Sequence, residues 1–115
     1  MFHLTIRIKM SPREQENAFV VLRSLAERTR VLPGCAVCRI YQDVQEEGAL
    51  LFEEIWSSED AMNRHIRSEG YRDVLLIMEM AHAKPEIRLE TISNLTGMET
   101  LEKLREEANP NLKSA

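Results

Sequence analysis

Hydrophobic residues recur at every second position in four stretches of this chain, and at helical spacing in the stretches between them. The order of those two periods restricts the fold more than any single motif does. A two-residue period marks a half-buried strand, and a 3.6-residue period marks an amphipathic helix. Phe2, Leu4, Ile6 and Ile8 alternate with His3, Thr5, Arg7 and Lys9, which defines a first strand. Ser11-Pro12-Arg13-Glu14 then opens a helix. Serine serves as cap, proline sits where its missing N–H costs nothing, and glutamate completes a capping box. Phe19, Leu22, Leu25 and Ala26 share one face of this helix, Glu16, Arg23, Glu27 and Arg30 the other, and Pro33-Gly34 ends it.

Cys35–Gln42 and Ala49–Trp56 read as two further strands, joined into a hairpin by the polar segment Asp43–Gly48. Ser57 or Ser58 caps the next helix, whose apolar face carries Ala61, Met62, His65 and Ile66. Ser68-Glu69-Gly70 interrupts it, and Ser68 can cap a continuation bearing Tyr71, Val74, Leu75 and Met78. Beyond Lys84-Pro85, Glu86–Ile92 alternates as a fourth strand. The β-α-β-β-α-β order predicts an α+β, ferredoxin-like fold: a four-stranded antiparallel sheet with helices on one face. Thr96-Gly97-Met98-Glu99 opens a short C-terminal helix with Leu101 and Leu104, and Ala108–Ala115 reads as a frayed end. The division expected is a core domain over residues 1–95, followed by a C-terminal helix and tail over residues 96–115.

A chain of 115 residues with 43% hydrophobic side chains can bury one real core. Its net charge of −4 argues against a phosphate-reading surface, so no nucleic-acid partner is expected. No apolar run approaches the roughly 20 residues of a membrane span. The first ten residues alternate rather than forming an apolar signal core, and a cytoplasmic location is the expectation. Cys35 and Cys38 form a Cys-x-x-Cys. In a regular strand residues three apart point to opposite faces, and no second ligand pair lies nearby, so two thiols rather than a metal or redox site are expected. Helices cover one face of such a sheet. The other face, of mixed apolar character, is expected to pack against a second copy as a homodimer.

Candidate chemistry gathers between Leu50 and Leu75. His65 is either a general acid–base group, since its ordinary pKa suits proton transfer near neutrality, or a half-buried side chain fixing helix to sheet, with Glu54 as a partner. Trp56 either stacks on an aromatic ligand or is the hydrophobic staple before a helix cap. Glu53 and Glu54 point to opposite faces, and the pattern does not say which is buried. His3, Thr5, Arg7, Arg39 and Tyr41 either line a pocket or are exposed polar residues. Met62, Met78 and Met80 read first as core filler.

Gly34-Cys35 after a long first helix, then Glu54-Ile55-Trp56-Ser57-Ser58-Glu59, His65 and Ser68-Glu69-Gly70-Tyr71, resembles the antibiotic biosynthesis monooxygenase family over about residues 2–92. The resemblance implies a dimeric α+β barrel. It also implies oxidation of a small aromatic, quinol- or anthrone-like substrate by molecular oxygen, with no flavin, haem or metal. On that reading His65 is the acid–base residue, Trp56, Tyr71, Met62 and Glu54 line the substrate site, and Arg7 holds an anionic oxygen. The haem-degrading branch pairs a first-strand Asn with a helical Trp and a His ten residues on. Here Phe2–Lys9 has no Asn, His65 stands at the Trp position and Leu75 at the His position, so haem degradation is not expected. A non-catalytic dimeric binding module and a proton-shuttling isomerase are the alternatives, because one scaffold carries many chemistries.

Overall fold

A computed structural model describes residues 1–108 of the chain; the expected frayed end, residues 109–115, lies outside the described residues. The strands are β1 (Phe2–Lys9), β2 (Cys35–Gln42), β3 (Ala49–Trp56) and β4 (Glu86–Thr91). The helices are α1 (Pro12–Thr29), α2 (Glu59–Ile66), α3 (Arg72–Glu79) and α4 (Met98–Ala108), with a 3-10 turn over Glu69–Tyr71 between α2 and α3. The sheet order is β2-β3-β1-β4, and every neighbouring pair is antiparallel. This is the ferredoxin-like arrangement that the alternation of periods predicts.

The register decides which side chains meet. Leu4 lies opposite Glu54, Ile6 opposite Phe52 and Ile8 opposite Leu50, so all six face the helices. Ala18, Leu22, Leu25 and Ala26 of α1, with Val74 and Ile77 of α3, pack on this surface together with Tyr71. Burying a large aliphatic or aromatic side chain contributes about 1.5–3 kcal/mol, so this cluster supplies most of what offsets chain entropy. The 3-10 turn shifts the phase of α3 against a continuous helix. Ile77 is therefore buried, and Leu75, expected inside, is 46% exposed.

β2 departs from a regular strand. Its register slips between Cys35 and Val37, leaving Ala36 without a partner on β3. The bulge reverses the alternation for the residue before it. Cys35 now lies beside Trp56 and Cys38 beside Glu54, and both pack on the helix side of the sheet. The expectation that the two sulfurs diverge is thus overturned. Burial raises both thiol pKa values, that of Cys38 to about 12, so neither is poised as a thiolate.

Gly34 makes the turn from α1 into β2 possible. Its φ is +87°, and an added Cβ would stand 2.7 Å from Ala61 Cβ on α2. Its carbonyl accepts the Ser57 N–H at 2.8 Å, pinning the end of β3 to the turn. We expect Gly34→Ala to cost about 2–3 kcal/mol, from left-handed strain plus the pushed-back helix, read as a lower urea midpoint with unchanged m-value.

The helix layer does not reach β4. Ile87 and Leu89 face the helix side, opposite Ile6 and Leu4, yet each is 58% exposed. α4 buries none of its residues, and the described chain extends 55 × 34 × 22 Å.

Candidate functional site

The site forms where the end of β3 meets α2. Ser58 Oγ accepts the Ala61 N–H at 3.2 Å, which starts α2 and directs Ala61, Met62 and His65 inward. Residues 54 and 56 share the helix-facing side of β3 because the strand period is two. The Trp56 indole N–H donates to Glu54 Oε1 at 3.1 Å, and the Tyr71 hydroxyl donates to Glu54 Oε2 at 3.3 Å. His65 Nε2 is 3.3 Å from Glu54 Oε1 and 3.5 Å from Thr29 Oγ1. Thr29 Oγ1 itself donates back to the Leu25 carbonyl at 2.7 Å. The imidazole sits between two aromatic rings, 5.1 Å from that of Trp56 and edge-on to that of Tyr71 at 5.3 Å.

Glu54 is completely buried and His65 is 6% exposed. Burial disfavours charge on both, raising the Glu54 pKa to about 7 and lowering that of His65. The donors from Trp56 and Tyr71 pull Glu54 the other way without overcoming desolvation. Burial therefore favours the uncharged form of both groups around neutrality. With the proton on Glu54, the carboxyl donates to His65 Nε2 and the imidazole proton sits on Nδ1. With it gone, Nε2–H donates to the carboxylate and Nδ1 carries a lone pair. Among the described residues Nδ1 has no hydrogen-bond partner, and His65 is one of the residues that line the adjoining pocket. A carboxylate that orients an imidazole in this way is a general-base arrangement.

A pocket of about 320 Å3 opens on this pair, lined by Leu32, Pro33, Trp56, Ala61, Arg64, His65 and Ser68. A larger groove of about 470 Å3 runs between α1 and the β2 edge. Two of its arginines are already engaged, Arg23 with Glu27 at 3.6 Å and Arg30 with the Cys38 carbonyl at 3.2 Å, and it does not reach the buried pair.

Four of the residues singled out from sequence converge here: Glu54, Trp56, His65 and Tyr71. Met62 is buried beside Trp56 and Ala61, behind the pocket wall. Arg7 does not join them. It lies on the opposite face of the sheet, where its guanidinium bonds Asp43 and Glu46. Glu53 is also on that face, bonded by His3 at 2.8 Å and by the Tyr41 hydroxyl at 2.9 Å. Thr29 and Arg64 went unnamed. Thr29 continues the Leu22–Leu25–Ala26 face at helical spacing, a signal that places a polar residue in the core.

The family model for antibiotic biosynthesis monooxygenases matches residues 1–75. The chain belongs to the antibiotic biosynthesis monooxygenase family. An uncharacterised protein of Synechocystis sp. is 28% identical over 87 residues, 75% of this chain, and the chain spans 59% of that relative's length. A solved structure of an antibiotic biosynthesis monooxygenase superposes with a TM-score of 0.72 at 23% identity, over 82% of this chain and 100% of that one. A conserved protein of Methanosarcina mazei Go1 superposes with a TM-score of 0.71 at 23% identity, over 77% and 89% of the two chains. At those identities the superpositions establish the family fold. No helix among the described residues is long and apolar enough to cross a membrane.

Proposed function

We propose that this member of the family is a cofactor-independent monooxygenase acting on a small, planar quinol- or anthrone-like molecule bound beside His65. The observation that carries the reading is the buried Glu54 carboxylate 3.3 Å from the Nε2 of His65, whose ring lines a mostly apolar pocket. His65 Nδ1 takes a proton from the substrate hydroxyl or activated methylene. The resulting carbanion adds molecular oxygen, the peroxide takes the proton back from the imidazolium, and loss of the remaining hydrogen on that carbon breaks the O–O bond, leaving a new carbonyl and one water. Glu54 stabilises the imidazolium formed in the first step. Trp56, Leu32 and Pro33 give the bound ring an apolar wall.

The test is oxygen uptake by metal-stripped protein with dihydroxynaphthalenes and anthrones, measured against the spontaneous rate. Protein-dependent uptake supports the reading. No uptake, with substrate hydrogen exchanging into solvent, moves the same base to the isomerase alternative. No uptake and no exchange leaves a binding module.

A homodimer is part of this proposal. The face away from the helices presents half-buried Val37, Leu51 and Ile55 among opposed charges such as Arg7 with Asp43 and Glu46. A second sheet packed on it would close a barrel. We expect light scattering to give twice the chain mass at micromolar concentration; a monomer at that concentration counts against the dimer. The core over residues 1–95 is proposed to stand without the following helix. A chain ending at Leu95 should therefore melt within a few degrees of the full chain, because α4 buries no residue.

A further inference from the structure

We propose that the pocket beside His65 selects an aromatic alcohol that also carries a carboxylate, and that Arg64 is the residue that reads the carboxylate. The inference rests on the pocket assignment made above. Leu32, Pro33, Trp56 and Ala61 make the walls apolar, and Leu32 stands 41% exposed at the rim. Such walls suit a flat ring. No acidic side chain lines the pocket. The nearest carboxylate in the site, Glu54, is fully buried behind Trp56 and His65.

Against those walls stands one permanent cation. Arg64 lies in the last turn of α2, one residue before His65, and its side chain forms part of the pocket lining. Arg28 faces Asp73 at 4.0 Å and Arg72 faces Glu69 at 3.4 Å, whereas Arg67 is exposed and lies outside the pocket lining. Among the described residues, Arg64 has no acidic side chain within ion-pair distance. A guanidinium is a planar fork that pairs two-pronged with a carboxylate, and beside an apolar wall the pairing is less screened than in open water. With His65 Nδ1 meeting the hydroxyl and Arg64 the carboxylate, the ligand is held at two polar points across one apolar slot. Two-point attachment fixes which hydroxyl faces the base.

The experiment compares 4-hydroxy-1-naphthoate, whose hydroxyl and carboxylate stand at opposite ends of one ring, with 1-naphthol by calorimetric titration of the full chain. The titrations are run under nitrogen, so that binding is read without the oxygen that turnover would consume. The single tryptophan gives one indole N–H resonance, and its shift reports occupancy beside Trp56. We expect the carboxylate to tighten binding about tenfold, the scale of a charge-assisted hydrogen bond at a partly wet site. Raising salt should shrink that gain. Arg64→Gln should erase the difference between the two compounds, whatever it does to 1-naphthol affinity itself. Arg67→Gln, on an exposed arginine outside the pocket lining, should keep it. Equal affinity for the two compounds, or a gain that survives Arg64→Gln, overturns the role of Arg64 alone. Absence of 1-naphthol binding overturns the pocket assignment, and this proposal with it.

Discussion

Glu54→Ala lowers unfolding free energy by about 4 kcal/mol, the largest stability effect expected of any single change in the site. The carboxylate is fully buried and accepts hydrogen bonds from Trp56 and Tyr71 while meeting His65. Truncation leaves those donors without an acceptor in a place water does not reach, and opens a cavity between β3 and the helices. Chemical denaturation at pH 7 measures the loss. A drop below about 1 kcal/mol would mean that water or a rearranged side chain replaces the carboxylate.

The isosteric Glu54→Gln keeps volume and an acceptor, and separates charge from packing. Folded Glu54 has a pKa near 7 against an ordinary 4.5, so the folded state binds the proton more tightly than the unfolded one. Its contribution to stability is full below about pH 4.5 and is lost as pH rises through about 7, a change of about 3 kcal/mol. His65 acts in the opposite direction. Its lowered pKa means that stability is lost as pH falls below 6.5. Between pH 6.5 and 8 the Glu54 term stands alone. Wild type should therefore lose stability relative to Glu54→Gln from about pH 4.5 upward, with the last part of the loss falling between pH 6.5 and about 8, and the two curves should run parallel above that. A constant difference from pH 5 to 9 would show that Glu54 is ionised throughout.

His65→Ala reduces protein-dependent oxygen uptake by 10²–10⁴-fold, the usual worth of a positioned general base. The pocket retains Trp56, Leu32 and Pro33, so the binding of 1-naphthol should change far less than turnover. The rate at low substrate should rise with pH through about 7, because Nδ1 accepts a proton only after the Glu54–His65 pair has lost its own. His65→Gln serves as the control for packing: it keeps a polar side chain against Glu54 and restores stability without restoring the base. Uptake unchanged in both variants would keep the reaction and remove His65 from it.

Local periodicity specifies the four strands, α1 and the broken second helix, because each pattern depends on residues only two to four positions apart. The same locality explains why Glu54, Trp56, His65 and Tyr71 are legible as candidates: they fall within one strand–helix unit. Choices that depend on partners distant in sequence are not legible. Which glutamate of β3 is buried depends on the pairing of Leu4 with Glu54, and which partners engage Arg7 on the far face, Asp43 and Glu46, depends on how the hairpin loop folds. The slip at Ala36 turns Cys35 inward, and the 3-10 turn after α2 exchanges Leu75 for Ile77 in the core. A one-residue change of phase reverses a strand face and turns a helix by about 100°, given 3.6 residues per turn. The sequence by itself therefore determined the elements, their order and the residue types of the site. Tertiary structure decided which of those residues meet, because phase and register are settled only when each segment packs against another.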